Sequence, residues 1–225
     1  MEFSGIDYLG IDRVLRRGSG EIIGQLKNAL LIRDRISGAY LLACGDREEG
    51  TELLDRYIGR DCDLLMISDH ALGTAAFERY GFPEKIECYQ TAFYGEKPPI
   101  GTGRLRIGTA GEGDLAMLGE HYHMISKKEL EDAVKRQAVL LGYDRDRLIG
   151  FIGEHAEGSM GMLYVFPEYR RMGFAAELQT HLIAKTMEKG YIPFGQVEKS
   201  NQASLRLQKK LGMTLSEHLI VWMWR

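Results

Sequence analysis

The chain has 225 residues, 44% of them hydrophobic and 27% charged, with a formal net charge of −3. This is the composition of a soluble globular protein, and so even a charge balance argues against a nucleic-acid partner, which needs a broad basic surface. No apolar run approaches the ~18 residues of a membrane span, so no membrane partner is expected.

The opening MEFSGIDYLGIDRVLRR carries an acid second and no apolar core, so no signal peptide is expected. The three cysteines, Cys44, Cys62 and Cys88, are widely spaced and contain no C-x-x-C pair, so no metal site is expected. They read as buried or idle thiols of a cytoplasmic protein, and Asp61 and Asp63 would blunt the reactivity of Cys62.

In the first hundred residues GAYLLAC (Gly38 to Cys44) reads as a strand and REEGTELLDRYI (Arg47 to Ile58) as a helix. CDLLMIS (Cys62 to Ser68) is a second strand. AAFERYGFPEKIECYQTAFY (Ala75 to Tyr94) is a helix, a Gly-Phe step and a long strand. YGEKPPIGTG (Tyr94 to Gly103) holds two adjacent prolines and three glycines, which defeat helix and central strand alike. A domain boundary is expected there, with domains at 1–98 and 104–225.

Beyond the linker, RLRIGTA (Arg104 to Ala110) reads as a strand and GDLAMLGEHYH (Gly113 to His123) as a short helix. Ser126 and Glu129 form a capping-box signal for the next helix. AVLLGY, RLIGFIGE and SMGMLYVF follow as three strands separated by turn material, an antiparallel meander. A long helix from about Gly173 to Lys189 comes next, then the strand YIPFGQV. A last helix follows Asn201 and ends at Gly212, and LSEHLIVWMW is the final strand. A strand, crossover helix and next strand in one sheet run parallel. The expected fold class is therefore α/β (α+β), a mixed and mostly antiparallel sheet with one β-α-β crossover. Ala75 to Tyr94 can be laid beside Leu205 to Trp224, so the first half is expected to be a shortened copy of the second.

VFPEYRRMGFAAELQTHLI (Val165 to Ile183) leaves an apolar strand, stops at a proline and sets two arginines before a helix. Helix starts favour acids, because their exposed amides and dipole are already positive. Arg170 and Arg171 are tolerated there if an outside anion joins them, and a diphosphate matches several amides aimed at one point. Gly173 allows close backbone approach and Ala175 keeps the first turn narrow. The counterpart loop GDREEGTE keeps Arg47 and Gly50 but surrounds them with Asp46, Glu48 and Glu49. Only the later loop is expected to bind an anion.

Arg170-Arg171-Met172-Gly173-Phe174-Ala175 resembles the R/Q-x-x-G-x-G/A signature of the GNAT superfamily of acyl-CoA-dependent N-acyltransferases. Asn201 and Ser204, followed by KKLGM, resemble that family's next block, and the whole segment is most similar to the glycine N-acyltransferase-like branch. The resemblance implies a GNAT fold in tandem with a degenerate copy. It also implies acetyl-CoA or another acyl-CoA as cofactor and a small-molecule amine or amino acid as partner, in a monomer or homodimer. The amides of Arg171, Met172, Gly173, Phe174 and Ala175, with Arg170, would hold the pyrophosphate. Leu163 and Val165 would pair with the pantetheine arm, and Asn201 and Ser204 would flank that arm or the thioester.

Two positions depart from the family pattern. Gln208 stands where many members carry a tyrosine that protonates the leaving thiolate, and Phe77 fills the same place in the first half. Ser159 stands where an acid usually begins the central strand. The remaining candidates for acid–base work are His123, Glu154 or Glu157, Glu198 and the thioester-side Ser204, with Glu154 and Glu157 reading first as residues that solvate a turn. Met160, Met162 and Tyr164 are expected to share one face of their strand. A non-catalytic acyl-CoA-binding module is the alternative function.

Overall fold

The computed structural model describes residues 3–225. Its elements in chain order are α1 (Leu9–Arg16), β1 (Gly20–Gln25), β2 (Ala29–Asp34), β3 (Tyr40–Cys44), α2 (Arg47–Tyr57), β4 (Leu64–Ile67), α3 (His70–Tyr80) and β5 (Glu84–Ala92). Then come β6 (Arg106–Thr109), α4 (Leu115–His121), α5 (Lys127–Lys135), β7 (Val139–Asp144), β8 (Arg147–Glu154), β9 (Met160–Val165), α6 (Phe174–Glu188), β10 (Phe194–Glu198), α7 (Gln202–Lys210) and β11 (Thr214–Trp224). No described helix is long and apolar enough to cross a membrane.

The chain divides into two compact units, and the division does not simply cut it in two. The first unit takes the chain up to Ala92 together with Gln196–Gln202 and Leu215–Arg225; the second takes Phe93–Gly195 and Ala203–Thr214.

In the first unit β1, β2 and β3 form an antiparallel meander and β4 lies parallel to β3. The C-terminal strand β11 then pairs antiparallel to β4, with Val221 opposite Ile67 and Trp224 opposite Leu64. Successive residues of β2 and β3 enter two different apolar clusters. Leu31 and Leu42 pack with Leu53, Leu54 and Leu72 under α2 and α3, while Leu30, Ile32 and Leu41 pack with Ile11 and Val14 of α1. Strands buried on both faces lose the alternation that marks a half-exposed strand. That explains why ALLIRD carries no period-two signal; β1 and α1 were also not among the expected elements.

In the second unit β7 to β9 form the expected antiparallel meander, β6 pairs antiparallel to β7, and β10 joins β9 in parallel. The expected fold class holds; β8 has the expected ends, and other elements of this unit move by up to about three residues. The capping box forms as expected: Ser126 Oγ accepts from Glu129 N at 3.2 Å and Glu129 Oε2 accepts from Ser126 N at 2.8 Å. Helix α6 covers one face through Phe174, Leu178, Leu182 and Ile183, and α4 and α5 cover the other through Leu118, Leu130 and Val134.

One strand breaks the simple alternation. Opposite β8, Gly161 pairs with Gly153 and Tyr164 with Phe151, so β9 carries one residue more than its partner. Met162 supplies the bulge with a φ of 50°. The extra residue reverses the phase of the strand, so Met160 faces the α6 cluster while Met162 and Tyr164 face α4 and α5. The expectation that Met160 shares a face with Met162 is thereby corrected.

Candidate active site

The approach to α6 is built to leave amides free. After β9 the chain makes a short 3-10 turn at Pro167–Tyr169, where Pro167 removes a donor and fixes the entry. Arg171 then takes a φ of 61° and Gly173 a φ of 89°, two left-handed residues that curl the backbone around the helix start. Gly173 is the N-cap and offers no side-chain hydrogen bond. The acid of the first turn, Glu177, is buried and turned away: it accepts from Leu105 N at 2.9 Å and from Thr102 Oγ1. Burial pushes its carboxyl pKa up, but the bonds from Thr102, Leu105 and Arg104 outweigh that and hold it below the usual range. Arg170, Arg171 and Met172 are exposed around this turn. Arg170 donates from Nε to Val165 O at 3.0 Å and sits 5.5 Å over the Tyr164 ring.

The corresponding helix of the first unit has the opposite chemistry. Asp46 caps α2, accepting from Glu48 N at 3.0 Å and Glu49 N at 3.1 Å. Arg47 is paired with Asp69 at 3.0 Å, and Glu49 accepts from Asn28. Its own carboxylate occupies the amides that an anion would need.

Next to the α6 turn, β9 and β10 are paired at one register point, Gly195 with Met160. Past that point β9 runs on through Leu163 and Val165, an extended backbone of the kind to which a ligand can add as a strand. Val165 O already accepts from Arg170, and a carbonyl has a second lone pair to share.

On the other face of the second unit a groove of about 680 Å³ runs between α4 and α5. Its walls include Leu115, Tyr122, Ile125 and Leu130, with Glu112, Lys127 and Glu131 as charged members. His123 lines the same groove and is exposed. A cluster of rings stands between groove and strand: His121 stacks on Tyr164 at 4.9 Å and meets Phe166 edge-on at 5.0 Å.

Ser204 is half-buried on α7, in the second unit, whereas Glu198 and Asn201 are exposed and group with the first. Glu198 accepts from Ser200 Oγ at 2.6 Å, just ahead of α7. Glu154 and Glu157 do not solvate a turn; both are buried. Glu154 accepts from Thr186 Oγ1 at 3.0 Å and from Lys189 Nζ at 3.1 Å, tying β8 to the end of α6. Glu157 accepts from Ser159 Oγ, so the serine ahead of β9 is paired with an acid two residues away.

Gln208 is buried and paired with Gln179 of α6 in both directions, at 2.6 Å and 3.2 Å. Such a pair is structural, and truncating one member strands the other's amide. Gln208→Ala is expected to cost about 1–3 kcal/mol of stability, read as a lower melting temperature. Any turnover should change by less than about tenfold, since an amide donates no proton readily. A hundredfold loss in a well-folded variant would give Gln208 a role in the chemistry.

Sequence reasoning missed Tyr122 and His155. Tyr122 Oη lies 3.4 Å from His155 Nε2, and its ring packs in the cluster that holds Met162 of the bulge. The two stand 33 positions apart in the sequence, and no motif joins them.

A mixed sheet with a bulged strand, a short pairing to the parallel strand beside it and an uncapped helix start between them defines the GNAT fold. The comparisons agree. Residues 140–222 match the family model described as FR47-like protein. A Drosophila protein of solved structure superposes with a TM-score of 0.73 at 15% identity, over 99% of this chain and 91% of its own. A GCN5-related N-acetyltransferase-like protein from Streptococcus suis gives 0.60 at 16% identity, over 99% and 95%. A tandem GNAT protein from the clavulanic acid biosynthesis pathway gives 0.50 at 13%, over 96% and 86%. No curated protein matches the chain.

Proposed function

We propose that the chain is an N-acyltransferase moving an acyl group, with acetyl the simplest case, from acyl-CoA to the amine of a small molecule or amino acid. The observation that carries the reading is the contrast between the two helix starts. Gly173 leaves the α6 amides uncapped beside Arg170, Arg171 and the end of β9, while Asp46 fills the same place on α2. The α6 turn fits a CoA pyrophosphate: left-handed backbone, no acid among Arg170 to Ala175 and a Cβ-free approach at Gly173.

In this reading Arg171 to Ala175 bind the pyrophosphate with backbone amides and Arg170 adds charge. Leu163 and Val165 hold the pantetheine arm, flanked by Asn201 and Ser204. His123 meets the acceptor from the groove, and Glu198 sets the start of α7. The thioester supplies an activated carbonyl, and these residues bind and orient it.

The reading extends to a glycine N-acyltransferase-like branch with a degenerate first half, domains at 1–98 and 104–225, a cytoplasmic location and a monomer or homodimer. The run β3-α2-β4-α3-β5 repeats the order of β9-α6-β10-α7-β11, which supports duplication. A non-catalytic acyl-CoA sensor is favoured by one observation, the engagement of Gln208 with Gln179 where a proton donor would stand. Calorimetry with CoA should find one site per chain, and release of free thiol from acetyl-CoA over an amine panel separates enzyme from sensor. Two equivalent CoA sites, or none, would overturn the assignment.

A further inference from the structure

Tyr122 joins two places described separately above. Its ring lines the groove between α4 and α5 and packs in the cluster that holds Met162, the bulge residue of β9 with a φ of 50°. Behind the hydroxyl stands His155, on the turn after β8. Its ring is pressed against Gly161: a Cβ there would lie 2.2 Å from His155 Nε2. Only glycine lets the imidazole lie across the strand, so ring position and bulge are fixed together.

We infer that Tyr122 is the catalytic residue that takes the proton from the attacking amine and that His155, acting through Tyr122, is its destination. This rests on the acyltransferase reading. The thioester is the second substrate. As the amine nitrogen bonds to the carbonyl carbon, Tyr122 Oη accepts the amine proton and passes its own to His155 Nε2. The carbon–sulfur bond breaks with its electron pair on sulfur, and His155 returns one proton through Tyr122 to the departing thiolate. The products are amide and thiol, and both side chains end as they began.

Three features support the route. Oxygen and nitrogen are 3.4 Å apart, long for a hydrogen bond but usual for catalytic pairs before the substrate arrives. Burial pushes the Tyr122 hydroxyl up to about 12; the Met162 amide opposes this, and the Glu157 and Glu129 carboxylates add to it. The phenol therefore rests protonated at neutral pH and relays a proton without storing a charge. The two positions where the family places acid–base groups hold Gln208, engaged with Gln179, and Ser159, engaged with Glu157. Neither is available.

The test uses the full chain, acetyl-CoA and an amine that it acylates. Tyr122→Phe and His155→Gln should each lower kcat by about a hundredfold or more, with the KM for acetyl-CoA within about threefold. The double variant should be no slower than the slower single one, because the two residues act as one unit. Nitrogen NMR should show His155 as the Nδ1–H tautomer in the wild type, with Nε2 accepting from Tyr122, and lose that signature in Tyr122→Phe. Turnover within about tenfold of wild type in either variant, multiplicative losses, or an unchanged tautomer would overturn the relay. If Tyr122→Phe does not fold, His155→Gln carries the kinetic test alone. A wild type that binds CoA but acylates no amine overturns the enzymatic reading and the relay with it. An active wild type with an equally active Tyr122→Phe overturns the relay alone.

Discussion

A Gly173→Glu variant is expected to lose CoA binding altogether, a fall of at least about a thousandfold in calorimetric affinity. Three effects act in the same direction. A left-handed φ of 89° costs a non-glycine residue about 1 kcal/mol or more. The new side chain stands between backbone amides and phosphate oxygens. Its carboxylate brings a charge of the wrong sign to the helix start, where it can cap the amides as Asp46 already does on α2. A Cβ on Gly173 meets nothing within 4 Å, so the fold should survive. Binding would be lost without a large fall in melting temperature. Retained affinity would put CoA elsewhere on the chain.

A fragment beginning at Arg104 is expected to be insoluble or aggregated, although it contains every residue of the proposed CoA site. Its last strand, β11, would have lost the β4 ladder from Leu64 to Ile67 and the cluster in which Val221 and Met223 are buried. Val221, packed against Gly73 in the full chain, would face water with Ile220 and Trp222. An unpaired apolar strand of this kind templates aggregation. The fragment would also lose Phe93 from the α6 cluster and Thr102 from Glu177. Size-exclusion chromatography and melting of fragment and full chain, with and without CoA, decide the matter. A monomeric fragment with the full chain's melting temperature and CoA affinity would refute it.

What the sequence could and could not disclose follows from the range of each interaction. The capping box at Ser126, the glycine stop at Gly212 and the meander from Ala138 to Phe166 depend on neighbours a few residues away, and they stand where expected. The pairing of β11 with β4 depends on residues from opposite ends of the chain. A strand apolar enough for burial on both faces does not say which strand it will join. The bulge at Met162 was hidden for another reason: the left-handed residue is a methionine and not its neighbour Gly161, and the phase reversal appears only opposite β8. In the candidate site the arginine–glycine loop is a contiguous motif and was readable. Tyr122 and His155 meet only because the bulge and Gly161 bring two loops together. Glu154 and Glu157 misled because a carboxylate beside a turn reads as solvated, whereas Thr186, Lys189 and Ser159 enclose them.

The place of β11 in the first unit also sets an order of events during synthesis on the ribosome. Gln90 N and Ser216 Oγ, 126 residues apart, are 3.0 Å apart in the finished protein. The early-made strands β1 to β4 must therefore wait, one edge open, while the rest of the chain described here emerges. Long-range closure of this kind is slow, because the loop entropy is lost before the contacts form. Through that interval the nascent first unit exposes Leu65 and Ile67, which are fully buried in the end, and chaperones that hold apolar strands would find their target there. A stalled chain ending before Thr214 should accordingly be sensitive to protease across β3 and β4, and release of the last strand should protect both at once.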